Sequence, residues 1–412
     1  MDLPRADIGL RLFSDGRGIV IAMAWRSASH TAPVSSRRRW TRRVLALVVL
    51  AAVAVPVWSF ANAVLVSNGD PFSVNATEWA RSHYLSWLVD RVERSWYAHH
   101  QPPKGGSPSG GIARVAPVSL PVATSVAQRR ARRAGTHNVP LCPARIRPLA
   151  AGTLAGEGVW LSAGRAPGVA CFAYLRPDAV HTSVVIGVAW MNMHALTATL
   201  HNGTSLPGSG PWRAGPMISQ NDYARVAAAF NGGFRLDASR GGYYTEGRTV
   251  QPLVDGRASL VIYANGRVNI AMWGRDTVMS PNVASVRQNL DLIVDNGQLV
   301  PGLSDANNSQ WGATLGNLIY TWRSGAGVDA HGNLIYVAGP GLNVDTLATV
   351  LRRAGAVRAM ELDINPEWTT LMVYRPAGTS LVATKLLSNM ERPADRYLHA
   401  GTRDFIELDL RH

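Results

Sequence analysis

Two short stretches carry the residues best able to do chemistry. The apolar run Val226–Phe230 empties abruptly into Asn231-Gly232-Gly233-Phe234. A strand that ends in Asn-Gly-Gly lets the backbone approach a ligand closely and turns N–H groups toward an anion, although the same motif alone reads as a tight turn. The second stretch, Glu361-Leu362-Asp363-Ile364-Asn365-Pro366-Glu367-Trp368, sets acids at the C-terminal end of an apolar run. Ligand clefts form at that end of a buried strand. Asp363, beside Met360 and Leu362, is expected to have an unusual protonation environment; the bland reading is a carboxylate capping the turn before Pro366.

Other chemistries find little support. There is no H-E-x-x-H, no G-x-S-x-G and no phosphate-binding G-x-x-x-x-G-K loop. The 11 histidines are scattered and form no metal-ligand spacing, so nothing calls for a metal or a cofactor. The formal charge of +14 invites a nucleic-acid partner, but its distribution argues against one. Residues 1–140 hold 18 basic and 7 acidic side chains, whereas residues 141–412 hold 23 and 20. The basicity belongs to the N-terminal segments rather than to the part that folds.

The elements needed to position these residues are legible from turns and periodicity. Leu260–Tyr263 and Arg267–Met272 flank Asn265-Gly266, and residues 290–294 and 298–300 flank Asp295-Asn296-Gly297; both read as hairpins. A third pair is expected between 317–322 and 333–338, closed through His331-Gly332. The apolar spacing of Val344, Leu347, Val350 and Leu351 predicts a helix over 344–354, with Asn343 as N-cap and Gly355 as its stop. It leads into a buried strand at 357–362. Mixed or antiparallel strands with a few packed helices make an α+β domain over 141–412.

Upstream, residues 44–66 run without a charge, long enough to cross a hydrocarbon core of about 30 Å. Arg37, Arg38, Arg39, Arg42 and Arg43 precede this run. The asymmetry predicts a cytoplasmic N-terminus (1–43) and an extracytoplasmic C-terminal domain on a single-pass anchor. A cleaved signal peptide is the rival, because Ala61-Asn62-Ala63 fits a cleavage site. Residues 67–100 contain an expected amphipathic helix at 75–97, lying at the headgroup level or packed on the main domain. Residues 101–140, rich in Pro, Gly and Arg, read as a linker. Cys142 and Cys171 pair as one disulfide if the domain is exported, and are buried thiols if not.

Taken in order, these segments resemble the phosphodiester glycosidase family over roughly residues 180–390. Asn231-Gly232-Gly233-Phe234 is similar to its first motif. The Asp-Asn-Gly hairpin and Arg323-Ser324-Gly325 are similar to the middle ones, and helix, strand and Asp363 to the last. The chain departs from the family after the aspartate. Glycines and a serine or threonine usually follow it, whereas here Ile364-Asn365-Pro366 follow, and Pro366 has no N–H to offer a phosphate.

The resemblance implies hydrolysis of a sugar 1-phosphodiester of a cell-surface or exopolysaccharide glycan. Arg323 would grip the phosphate. Asn231 and the amides of Gly232 and Gly233 would bind sugar or phosphate oxygens. Asp363 would be the stabilising carboxylate or general base, and Asn365, Glu367 and Glu246 would face the substrate, the two glutamates as second-carboxylate candidates. Two other readings stand beside it. One is a catalytically degenerate protein binding wall glycan through Trp322 and Trp368. The other is an assembly protein whose helix at 75–97 recruits a membrane partner.

Overall fold

The computed structural model describes residues 34–65, 71–112, 141–208, 210–306, 308–312 and 317–411, with a short strand pair at Ser14–Asp15 and Gly18–Ile19. The chain divides into two compact units, Met1–Asn62 and Ala63–His412. Helix α1 (Val34–Leu65) supplies most of the described residues of the first, and its stretch Trp40–Leu65 is long and apolar enough to cross a membrane. It is consistent with a single-pass span or a signal sequence.

The amphipathic segment is two helices rather than one, α2 (Phe72–Ser82) and α3 (Ser86–His99). Tyr84 adopts a left-handed φ of 64°, and the Leu85 N–H donates to the Ala80 carbonyl at 3.0 Å. That six-to-one closure ends α2 in a Schellman turn, with tyrosine where glycine is usual. A glycine signal was absent, so the break was not visible in the sequence.

The first part of the expected linker, residues 101–112, contacts the domain. Gly105 N–H donates to the Val180 carbonyl at 2.7 Å, and Ile112 is buried in the core. The basic cluster around Arg130 lies outside the described residues. Cys142 and Cys171 form a disulfide that ties the start of the domain to a core strand.

Three antiparallel sheets build the domain. The largest contains β1 (Leu161–Ala163), β2 (Ala170–Leu175), β3 (Ile186–Met191), β11 (Leu292–Asp295), β12 (Gln298–Leu299), β13 (Thr321–Asp329), β14 (Leu334–Leu342) and β15 (Ala356–Asp363). Their order is β12-β11-β15-β13-β14-β3-β2-β1. A second sheet runs β17-β16-β5-β18-β4, from β4 (Leu196–His201), β5 (Val226–Asn231), β16 (Leu371–Ala377), β17 (Ser380–Lys385) and β18 (Phe405–Leu410). The third runs β9-β8-β10-β6-β7, from β6 (Tyr243–Thr245), β7 (Arg248–Gln251), β8 (Ala258–Tyr263), β9 (Val268–Met272) and β10 (Val283–Gln288). The fold is α+β, as the turn pattern implied.

The first two hairpins stand where the turn signals put them: Ile262 pairs with Val268, and Val294 with Leu299. Asn296 and Gly297 both take positive φ, as a tight hairpin turn requires. The third pair is shifted. Residues 334–338 pair with 324–328, so the strand runs through Ser324-Gly325-Ala326-Gly327 instead of ending at Trp322. Glycines argue against strand in a local reading, but packing demands them here. Helix α5 (Val344–Arg353), which follows the single-turn α4 (Leu236–Ser239) in the chain, lies on this face, and a Cβ on Gly325 would stand 3.0 Å from both Leu351 Cδ1 and the Met360 carbonyl oxygen. The α5 N-terminus is closed by a capping box between Asn343 and Thr346, and Val344, Leu347, Val350 and Leu351 are buried.

This close contact gives a test of the packing. Gly325→Val is expected to destabilise the domain by about 1–3 kcal/mol through overpacking, read as a lower urea midpoint.

Candidate active site

Register brings the two chemical stretches to one place. Phe405, the first residue of β18, pairs with Asn231, the last residue of β5, so residues 232–235 and 402–404 meet at one sheet end. On the large sheet Ser324 pairs with Asp363. Asn231 joins the two sheets: its Nδ2 donates to Ser324 Oγ at 3.1 Å, and its Oδ1 accepts from Tyr336 OH at 2.7 Å and Thr370 N at 3.2 Å. Ser324 Oγ in turn accepts from Asp363 N at 3.2 Å. Asn231 is therefore buried and linked through the Ser324 hydroxyl to the backbone of Asp363.

The glycines serve close packing. A Cβ on Gly232 would come within 2.3 Å of Asp404 Oδ2, and one on Gly233 within 3.0 Å of Asn289 Oδ1. The Gly232 amide donates to the Asp404 carbonyl. Asn289 accepts from Phe234 N and donates to the Glu361 and Leu362 carbonyls, which clamps the Asn-Gly-Gly loop to the end of β15. Arg287 pairs with the buried Asp404 at 2.8 Å and also donates to the Phe234 carbonyl.

Arg323 stands elsewhere. Fully buried, it pairs with Glu361 at 2.5 Å, and its Nε donates to Leu342 O and its Nη2 to Ile319 O. Its guanidinium is committed to the protein interior rather than to a cleft.

The cleft itself is a cavity of about 340 Å³ lined by Asp363, Asn365, Trp368, Arg235, Arg403 and, from the helical hairpin, Glu78. Burial pushes the Asp363 carboxyl up to about 7, with Arg403 opposing the shift. Two of the Arg403 nitrogens, Nε and Nη1, are buried without a hydrogen-bond partner. Its Nη2 meets Glu78 Oε1 at 3.3 Å, and Arg235 pairs with the other Glu78 oxygen. Trp368, 6% exposed, lies under the guanidiniums of Arg403 at 4.6 Å, Arg396 at 4.9 Å and Arg392 at 5.6 Å.

Of the other candidates, Asn365 lines the cavity and its Oδ1 accepts from Glu367 N at 2.9 Å. Glu367 lies beside it, accepting from Ser73 of α2 at 3.3 Å, and burial pushes its carboxyl up. Glu246 lies in a different cleft, where it accepts from the amides of Arg213 and Ala214. Among the described residues no His, Cys, Asp or Glu cluster is arranged to hold a metal. Arg235, Arg403 and Glu78 were not picked out from the sequence. Arg235 follows directly on the Asn-Gly-Gly-Phe motif and was within reach. Arg403 carried no local signal, because only the β5–β18 register brings it there.

Residues 224–392 match the family described as phosphodiester glycosidase. That stretch is therefore similar to a phosphodiester glycosidase domain. The match runs from β5 to just past β17 and contains Asn231, Arg323 and Asp363, but stops short of Arg403. The chain is similar to the zebrafish N-acetylglucosamine-1-phosphodiester alpha-N-acetylglucosaminidase catalytic domain auto-inhibited by pro-peptide. That likeness has 13% identity and a TM-score of 0.39, covering 61% of this chain and 87% of that one. It is also similar to a hypothetical protein from Synechocystis at 14% identity and a TM-score of 0.29, over 55% of this chain and 59% of that one. No curated protein matches the chain.

Two outcomes test this geometry. Asp404→Ala leaves the Arg287 guanidinium buried and unpaired, so it is expected to cost about 3–5 kcal/mol in denaturant unfolding. Asp363 holds its proton more firmly folded than unfolded, where its ordinary value is 3.8. The stability it contributes is therefore present below that value and lost as pH rises to about 7. Asp363→Asn is expected to flatten this decline and to raise the melting temperature at pH 8.

Proposed function

We propose that the domain hydrolyses sugar 1-phosphodiesters of surface glycans and is held outside the cytoplasm by the apolar N-terminal helix. The observation that carries this reading is a buried carboxyl facing unpaired guanidinium donors in one cavity: Asp363, with its proton affinity raised to about 7, beside Arg403. A phosphodiester supplies the anion that Arg403 and Arg235 complement. It also leaves as a phosphate monoester, which needs less protonation than a sugar alcohol would.

In this scheme water attacks the anomeric carbon as the bond from that carbon to the phosphate oxygen breaks. Asp363, ionised, takes the proton from the water. The two guanidiniums hold the departing phosphate while positive charge develops on the sugar ring. Asn231 and Ser324 act through Asp363 by fixing the end of β15. Activity then rises as pH passes through about 7, because the base must be ionised.

Glu78 adds a constraint. Its carboxylate already pairs with both guanidiniums, so an incoming phosphodiester must displace it. A glycan-binding role without turnover has less support: Trp368 is buried under guanidiniums and Trp322 is packed against the core.

The test is release of free sugar from a panel of sugar 1-phosphodiesters. Asp363→Asn is expected to lower kcat by about 10²–10⁴-fold with the fold intact. Arg403→Ala is expected to raise KM and Glu78→Gln to lower it. Unchanged turnover in Asp363→Asn would sink the scheme. No release by the folded wild-type chain from any member of the panel would favour the binding role.

A further inference from the structure

The helical hairpin has two faces, and the site accounts for only one. On the inner side Arg81 pairs with Asp90 at 2.6 Å and Glu93 at 2.7 Å, and Tyr97 packs on the core. These acids face the cavity with Glu78. On the outer side Leu88, Val92 and Trp96 follow one another at intervals of four, flanked by Trp87 and by Tyr84 at the turn. All five are exposed, Tyr84 by 94%, Trp87 by 65% and Val92 by 60%. Arg91 and Arg94 are exposed on the same helix, while its acids point inward.

This combination is costly in water but suits the boundary of a bilayer. Tryptophan and tyrosine place an apolar ring and a polar tip at the headgroup level, and arginine pairs with lipid phosphate while its stem covers apolar surface. The chain supplies the proximity. Residues 66–71 are all that separate Leu65, the end of the apolar helix, from Phe72, a reach of at most about 25 Å.

We propose that the outer face of α3 lies in the headgroup layer of an anionic bilayer, through Tyr84, Trp87, Leu88, Val92 and Trp96. The hairpin then holds the cavity wall against the membrane surface. This surface is independent of the catalytic reading, so either can fail alone.

The chain's two cysteines form a disulfide, so an introduced cysteine is the one reactive thiol. Val92→Cys, labelled with an environment-sensitive fluorophore, is placed in the full chain in nanodiscs of zwitterionic lipid containing about a third anionic lipid. Val278→Cys, exposed on the far part of the sequence, serves as the comparison. The expected result is a blue-shifted label at 92 that loses most of its emission when the lipid tails are brominated near the headgroup. The label at 278 should be unaffected. Adding Arg91→Glu and Trp96→Ser is expected to reverse the quenching with the far-ultraviolet spectrum unchanged. Water-like emission at 92, equal to that at 278, would overturn the proposal. So would a blue shift without lipid quenching, which would mean that a second protein copy covers the face.

Discussion

The buried pair of Arg287 and Asp404 is the contact on which the site depends. Arg287 comes from β10 of the third sheet, Asp404 from the segment that enters β18, and the Phe234 carbonyl accepts from the same guanidinium. One charge pair therefore joins a strand, an incoming segment and the Asn-Gly-Gly-Phe loop. Gly232 packs against the Asp404 carboxylate, where any side chain would collide. Arg403 is the residue before Asp404, so fixing the aspartate fixes the backbone that presents Arg403 to the cavity. Such a pair contributes little net stability relative to apolar packing, but removing one partner is expensive. Its value here is geometric.

Around that frame the electrostatics divide into paired and unpaired charge. Arg323 and Glu361 pair inside the large sheet, with one Glu361 oxygen left without a hydrogen-bond partner, and Arg287 and Asp404 pair at the sheet junction. Asp363 is different. It is buried without a dedicated cation, and its proton affinity rises for that reason. Arg403 is also incompletely satisfied, with two nitrogens lacking acceptors. A fold that leaves an acid and a base incompletely paired in one cavity forgoes stability there, a pattern expected at a site that binds charge.

The helical hairpin completes the cavity wall from outside the family match. Glu78 pairs with Arg235 and Arg403, and Tyr97 of the second helix packs onto the domain. The segment after α3 continues along the domain through Gly105 and Ile112, which holds the wall in place at both ends.

What the sequence determined by itself was local. Asn-Gly and Asp-Asn-Gly turns and the capped helix after Asn343 each need only neighbouring residues, and each stands where its pattern puts it. Asn231 and Asp363 were legible because each ends a strand in a residue type that apolar runs do not require. Tertiary structure decided the rest. The glycines of β13 look like strand breakers until α5 is seen lying on them. Arg323 and Arg403 are indistinguishable as residue types, yet one is enclosed beside Glu361 and the other faces the cavity. That choice rests on β18 pairing with β5, a contact between residues more than 170 positions apart, and such register is set by packing across sheets rather than by any local pattern.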